Sequence, residues 1–219
     1  MTSRFPSAAS PGGWCRFRLA AVLLAGGLAA LPAAATQLVS ANLTRLIGQS
    51  DLIVSGKVKD VTDGVDASGL PYTEVTIAVG ASAKKKLAAR SDFKFRQYGL
   101  LKSRKMPDGR FFIAKAPEGF PTWAKDEQVV AFMYKPASKT GLQTTVGLSQ
   151  GKFTANGGRL SNAQLNQGLF TGVKVDPRLL SPSESALLGG TAGAVDANAL
   201  MSLVNRAVAG QWIEKGAMR

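Results

Sequence analysis

The chain reads as a mainly β protein: a small antiparallel β-barrel carrying one N-terminal helix and a helical C-terminal extension. Three observations predict this. Apolar and polar residues alternate with a period of two through several runs after residue 50, and Gly, Pro and Asp turns bound those runs. One short stretch of helical spacing precedes them. After residue 155 the composition shifts to Asn, Gly, Ser and Ala before a second helical stripe begins at Asp196.

The N-terminus is set apart from the fold. Arg4, Arg16 and Arg18 form a positive leader without acids, residues 19–30 are an apolar core, and Leu31-Pro32-Ala33-Ala34-Ala35 supplies a breaker and small residues. This is the order of a secretory signal, with cleavage expected between Ala35 and Thr36. The run is shorter than the roughly 20 apolar residues that a permanent span requires. Cys15 precedes the apolar core, so it is not placed as a lipoprotein cysteine would be. The expected mature chain, 36–219, has 184 residues, no cysteine and no transmembrane helix. Residues 36–155 are expected to form the barrel, and 156–219 a Gly/Ser/Ala-rich linker with a helical extension.

Within residues 37–49, Leu38, Val39, Leu43, Leu46 and Ile47 fall near one helical stripe that ends at Gly48. The first strand is expected over about 51–61, with Leu52, Val54 and Val58 on one face, Lys57 and Lys59 on the other, and Gly56 marking a bulge. A Gly- and Asp-containing loop leads to a second strand over 72–83, where Val75, Ile77 and Val79 alternate with Glu74 and Thr76. A third strand is expected over 92–98. The basic loop 101–109 closes on Pro107-Asp108-Gly109, a turn signal, and 111–113 returns as a short strand. Residues 117–123 are irregular and aromatic, and 127–134 form the next strand. After a turn at 136–141, further β segments are expected over 142–148, 151–154 and 169–175. Ser183 and Asp196 are the expected helix N-caps, the latter opening a face of Ala197, Leu200, Met201, Leu203, Val204 and Val208.

Histidine is absent from the whole chain. Without His or a mature Cys, ordinary zinc and copper sites, the common haem ligations, thiol chemistry and a Ser-His-Asp triad are all excluded. No cofactor is expected.

The charge is strongly basic, with 27 Lys and Arg against 14 Asp and Glu. It is also local: between residues 84 and 115 eleven cations face only Asp92 and Asp108. These cations are Lys84, Lys85, Lys86, Arg90, Lys94, Arg96, Lys102, Arg104, Lys105, Arg110 and Lys115.

Three phrases occur in order: Ser50-Asp51-Leu52-Ile53-Val54-x-Gly56-x-Val58, Tyr72-Thr73-x-Val75-Thr76, and Val146-Gly147-Leu148-Ser149-Gln150-Gly151-Lys152-Phe153. Together they resemble a family of uncharacterised exported bacterial proteins over about residues 38–155. More distantly, the order of helix, Asp-Leu-Ile-Val strand and meander is similar to the OB-type barrel of netrin-like modules, which include tissue inhibitors of metalloproteases. The resemblance implies the barrel. It does not carry over the inhibitory mechanism, which uses an N-terminal cysteine to chelate zinc, because the expected mature chain begins with Thr36.

The basic region is the leading candidate surface, for an anionic envelope component or another exported protein. Its aromatics (Phe93, Phe95, Tyr98, Phe111, Phe112) are interleaved with charge, as in OB barrels that bind single strands. Strand alternation by itself, however, predicts aromatics inward and cations solvated. An export signal argues against intracellular nucleic acid. Phe111 and Trp123 are the aromatics expected to add to the surface if exposed; the 120–123 loop otherwise plugs the barrel mouth.

Asp60, Asp63 and Asp66 lie near one turn, where Asp commonly bonds its own backbone; their spacing lacks the pattern of an EF-hand Ca²⁺ loop. Gly147-x-Ser149-x-Gly151 spells a nucleophile elbow, but an elbow requires strand, turn and helix with a His base, whereas a strand-like run follows here. A Ser149–Lys152 pair remains as a hydrolase alternative, alongside a protease-inhibitor-like role. The expectation is a non-catalytic exported binding or structural module.

Overall fold

Strand β1 (Leu52–Val65) pairs along its length with β2 (Pro71–Ala83), and this long antiparallel hairpin is the centre of the fold. The structure is a computed structural model that describes residues 40–106 and 108–219; the expected leader lies outside the described residues. Gln37–Arg219 forms one unit. The other elements in chain order are α1 (Leu43–Gln49), which precedes β1, then β3 (Asp92–Tyr98), β4 (Arg104–Lys105), β5 (Phe111–Phe112), β6 (Gln128–Met133), β7 (Lys152–Asn156), β8 (Arg159–Ser161), α2 (Pro182–Leu188), β9 (Val195–Asp196) and α3 (Ala197–Gly210).

The main sheet has seven antiparallel strands in the order β3-β2-β1-β6-β7-β8-β9, and β4 and β5 form a separate two-stranded ribbon. The mainly β class is therefore as expected, but the barrel is not closed. The sheet ends at β3 and β9, and among the described residues a single backbone bond, Gln143 N–H to Arg96 C=O at 2.7 Å, ties the chain after β6 to the β3 edge. The sheet stays open because residues 142–148, expected as a strand, make a single bridge, Met133 with Thr145, and then turn. Gly147 takes a left-handed φ of +64° and leads into a 3₁₀ turn at Leu148–Gly151.

The curl of the sheet comes from β1. Its register with β2 shifts at Ser55/Gly56 and again at Val58/Asp60. Gly56 is required at the first shift, since a Cβ there would lie 2.1 Å from the Ala78 carbonyl oxygen.

The alternation seen in the sequence sorts side chains onto two faces; one is buried along the sheet, and the other is buried at the start of β1 and in β6 and β7 but open to water along β3. On one, Leu52, Val54 and Val58 join Val75, Ile77, Val79, Phe95, Trp123, Val129, Ala131 and Met133 in a core enclosed by the curl. On the other, Ile53, Val130, Phe132 and Phe153 pack against Leu43, Leu46 and Ile47 of α1 and Leu200, Leu203 and Val204 of α3. Strand β6 lies between the two cores, which explains its unbroken apolar run rather than an alternating one.

Residues 156–219 are not an appended tail. They supply β8 and β9 to the sheet and α3 to the core, with Trp212 and Met218 also buried. The Asn-rich segment is a hydrogen-bonded knot: the backbone N–H groups of Asn162 and Asn166 each donate to the other's side-chain oxygen, at 2.9 and 2.8 Å. Asn166 Nδ2 also donates to the carbonyls of Leu160 and Gly193. The strand expected over 169–175 is a chain of turns, because Gly168 and Gly172 adopt positive φ on either side of the buried Leu169 and Phe170. Asp196 caps α3 as expected, accepting from Ala199 N–H at 2.8 Å. The cap of α2 is Ser181 rather than Ser183: Pro182 takes the first helical position and Glu184 closes a capping box.

Candidate functional site

The eleven cations of 84–115 are spread along β3 rather than gathered at one point. The first four stand near the start of β3 and the last five beyond its end, and β3 itself spans about 20 Å. Lys94 and Arg96 lie between, on the exposed side of that strand.

Several of these cations are already engaged. Lys84 turns back onto α1, its ammonium donating to the carbonyls of Gly48 and Ser50 at 3.2 and 2.9 Å, where helix-end carbonyls lack partners. Burial pushes its pKa down, against the pull of Glu214 and Asp51. Lys85 pairs with Asp51, Arg96 with Glu74, Arg104 with Asp63 and Arg110 with Asp108. Lys86, Arg90, Lys94, Lys102, Lys105 and Lys115 are exposed and have no acidic partner among the described residues.

Three of those six stand on one projecting feature, the finger formed by 100–115 around the β4–β5 ribbon. Its root is tightly made. Leu100 N–H donates to Ala114 C=O at 2.6 Å, and Gly99, at φ +110°, approaches Ala116 so closely that a Cβ would fall 2.4 Å from its nitrogen. Asp63 of β1 reaches across to accept from the N–H groups of Leu101 and Lys102 and from the Arg104 guanidinium at 2.7 Å. Burial raises the Asp63 pKa, but these donors outweigh it and hold the carboxyl below the usual range. At the tip, Met106 N–H donates to Arg110 C=O at 2.7 Å, and Asp108 accepts from Arg110.

Exposure on the returning strand alternates residue by residue: Phe111, Ile113 and Lys115 are exposed, and Phe112 and Ala114 are half-buried. Phe111 lies opposite Lys105 in the ribbon. Of the six large apolar side chains exposed among the described residues, Leu101, Met106, Phe111 and Ile113 belong to the finger. Of these four, the sequence by itself points to Phe111 alone. The available signal was apolar residues scattered through a basic run at a turn.

Trp123 is not a surface residue. It is buried edge-on against Phe95, with ring centroids 5.1 Å apart, and its indole N–H reaches Gln97 Oε1 at 3.3 Å. It belongs to the core between β3 and β6, so it adds nothing to the basic surface. Phe93 and Phe95 also turn toward this core, stacked at 5.6 Å.

A second concave feature, a cleft of 460 Å³, is lined by Phe120, Glu127, Ser149, Lys152, Ser161 and Asn162 among others. It brings Ser149 and Lys152 together, but not as a working dyad. Lys152 is ion-paired with Glu127, donates to Thr122 C=O at 2.6 Å and lies 5.1 Å from the Trp123 ring centroid. An ammonium so held has no lone pair with which to take a proton. Ser149 Oγ accepts from Gln164 Nε2 at 2.9 Å, and no hydrogen bond joins it to Lys152 among the described residues. The two glycines of the elbow spelling serve packing: a Cβ on Gly147 would meet that of Ala41 at 2.6 Å, and one on Gly151 the Val146 carbonyl oxygen at 2.1 Å.

The three aspartates considered near one turn act separately. Asp66 bonds Ser68 and Leu70 within its own turn, Asp63 anchors the finger, and no group of three or more acidic, His or Cys side chains suited to a metal occurs among the described residues. None of their helices is long and apolar enough to cross a membrane.

No family model, curated protein or solved structure matches the chain.

Proposed function

We propose that this protein is an exported, non-catalytic module that attaches to an anionic component of the cell envelope through its basic surface. The observation that carries this reading is the set of exposed cations left without acidic partners on the finger: Lys102, Lys105 and Lys115. Side chains already neutralised by Asp63 or Asp108 add little to a long-range field, whereas uncompensated lysines on a projection present theirs to an approaching polyanion. The leader, read as a secretory signal, supports an envelope or extracellular location. The arrangement of Lys152 supports the non-catalytic part of the reading over a hydrolase. In the same proposal, the curled wall β3-β2-β1-β6 is an open relative of the OB and netrin-like barrels.

The test is binding of the Gln37–Arg219 unit to lipopolysaccharide, heparin and anionic vesicles across a salt series. Apparent affinity is expected to fall steadily as the screening length shortens from about 30 Å at 0.01 M salt to about 8 Å at 0.15 M. No binding at low salt, or binding indifferent to salt, would sink the reading.

A further inference from the structure

We infer that the finger is a membrane-docking device: its lysines meet anionic lipid headgroups while Phe111 and Ile113 enter the apolar edge of the bilayer. The inference rests on the anionic-envelope reading above and names the partner as a lipid surface rather than a soluble polyanion.

The physical case begins with what is exposed. Phe111 and Ile113 are 63% and 66% exposed, in a protein that buries side chains as large as Phe132 and Phe153 completely. They share one side of the returning strand with Lys115, and Lys105 stands directly across from Phe111. Two large apolar groups are thus flanked by two uncompensated cations on one face. Leu101 and Met106 are exposed on the same projection, and Val65, two residues past the anchoring Asp63, is 39% exposed.

A polyanion in solution would use the lysines and leave this apolar surface in water. A bilayer with anionic headgroups uses both, because cations seat at the phosphate level while apolar side chains pass just beneath it. Lysine suits the geometry, since its long apolar stem lets the ammonium stay at the headgroups as neighbouring residues go deeper. The finger's internal bonds also favour insertion. Met106 N–H and Leu100 N–H are spent on Arg110 and Ala114, and Asp63 takes the N–H groups of Leu101 and Lys102, so fewer backbone donors must be stripped of water.

The experiment uses the Gln37–Arg219 unit, which contains both cores and lacks the apolar leader that would itself bind lipid. Three forms are compared: the wild-type sequence, F111S/I113S and F111W. Each is titrated with vesicles of equal parts phosphatidylglycerol and phosphatidylethanolamine, and separately with heparin. The F111S/I113S form is expected to lose about tenfold or more in vesicle partitioning, keep its heparin affinity and melt as the wild type does. F111W is expected to blue-shift and be quenched by bromine-labelled lipid chains, while wild-type emission from the buried Trp123 and Trp212 stays unchanged.

Equal vesicle partitioning of wild type and F111S/I113S, or an unquenched F111W, overturns the insertion while leaving the electrostatic reading intact. Failure of the wild type to bind either vesicles or heparin overturns both. If vesicles are ignored and F111S/I113S instead abolishes capture of a protein partner, the patch belongs to that protein and the lipid assignment is wrong.

Discussion

The carboxylate of Asp63, on the second half of β1, holds the guanidinium of Arg104 at 2.7 Å while also capping the N–H groups of Leu101 and Lys102. One side chain of the central hairpin therefore sets where the finger begins.

Asp63→Ala is expected to loosen the finger without unfolding the sheet. Amide exchange at Leu101 and Lys102 should accelerate at least about tenfold, with little change at β6. Protection that is unchanged at these two amides would show that the root is held by something else. The same bond predicts an acid response. A carboxyl held below its ordinary value contributes fully above that value, 3.8 for Asp, and loses its contribution as pH falls through the folded-state value. The protection of the Leu101 and Lys102 amides, measured relative to their intrinsic exchange rates, should therefore be flat down to about pH 4 and fall below it.

The fully buried Glu184 joins α2 to α3. Its carboxylate accepts from Ser181 N–H, from the Ser202 hydroxyl at 2.9 Å and from Arg206 at 2.6 Å. Burial raises its pKa, and these donors together bring it below the usual value. Arg206→Ala leaves a buried charge with hydroxyl and amide partners only, and is expected to cost about 3 kcal/mol by urea denaturation at neutral pH. The loss should shrink toward acid, where the carboxyl of the variant is protonated. A cost independent of pH would contradict this account.

Asn166 is expected to be intolerant of change although it lies in a stretch of loop-like composition. Asn166→Ala removes the bond to Asn162 N–H and two donations to the carbonyls of Leu160 and Gly193, in a residue only 1% exposed and at a φ of +59°. The loss should be about 3 kcal/mol in thermal or urea unfolding. Leu165→Met, at the exposed adjacent position, is the volume-conserving control and should fall within about 0.5 kcal/mol of the wild type. Equal tolerance at both positions would refute the knot.

Ser149 is expected to be unreactive. A fluorophosphonate probe should not label it at neutral pH, because Lys152 is committed to Glu127 and Thr122. Labelling that disappears in both Ser149→Ala and Lys152→Met would revive the hydrolase alternative.

The positions of β1, β2 and β3 were legible because a strand with one face buried must alternate, and β6 because a short unbroken apolar run fits a strand buried on both faces. Asp196 announced α3 because capping is a local bond between residues three apart. The Asn-rich stretch looks like a linker in sequence for the opposite reason: composition does not reveal whether amides bond to water or to each other, and Asn162 and Asn166 bond to each other. The basic run was legible as a charge but not as a site. Which cations keep their charge free depends on acids distant in sequence, Asp51, Asp63 and Glu74, that only the hairpin pairing brings alongside.

By itself, then, the sequence determined the mainly β class, the basic character, the absence of His and the absence of any Cys after residue 15, all of which follow from local periodicity and residue type. The tertiary structure decided what depends on long-range closure. It left the sheet open at β3, buried Trp123, drew residues 156–219 into the core, and left Phe111 and Ile113 in water beside lysines that no carboxylate reaches.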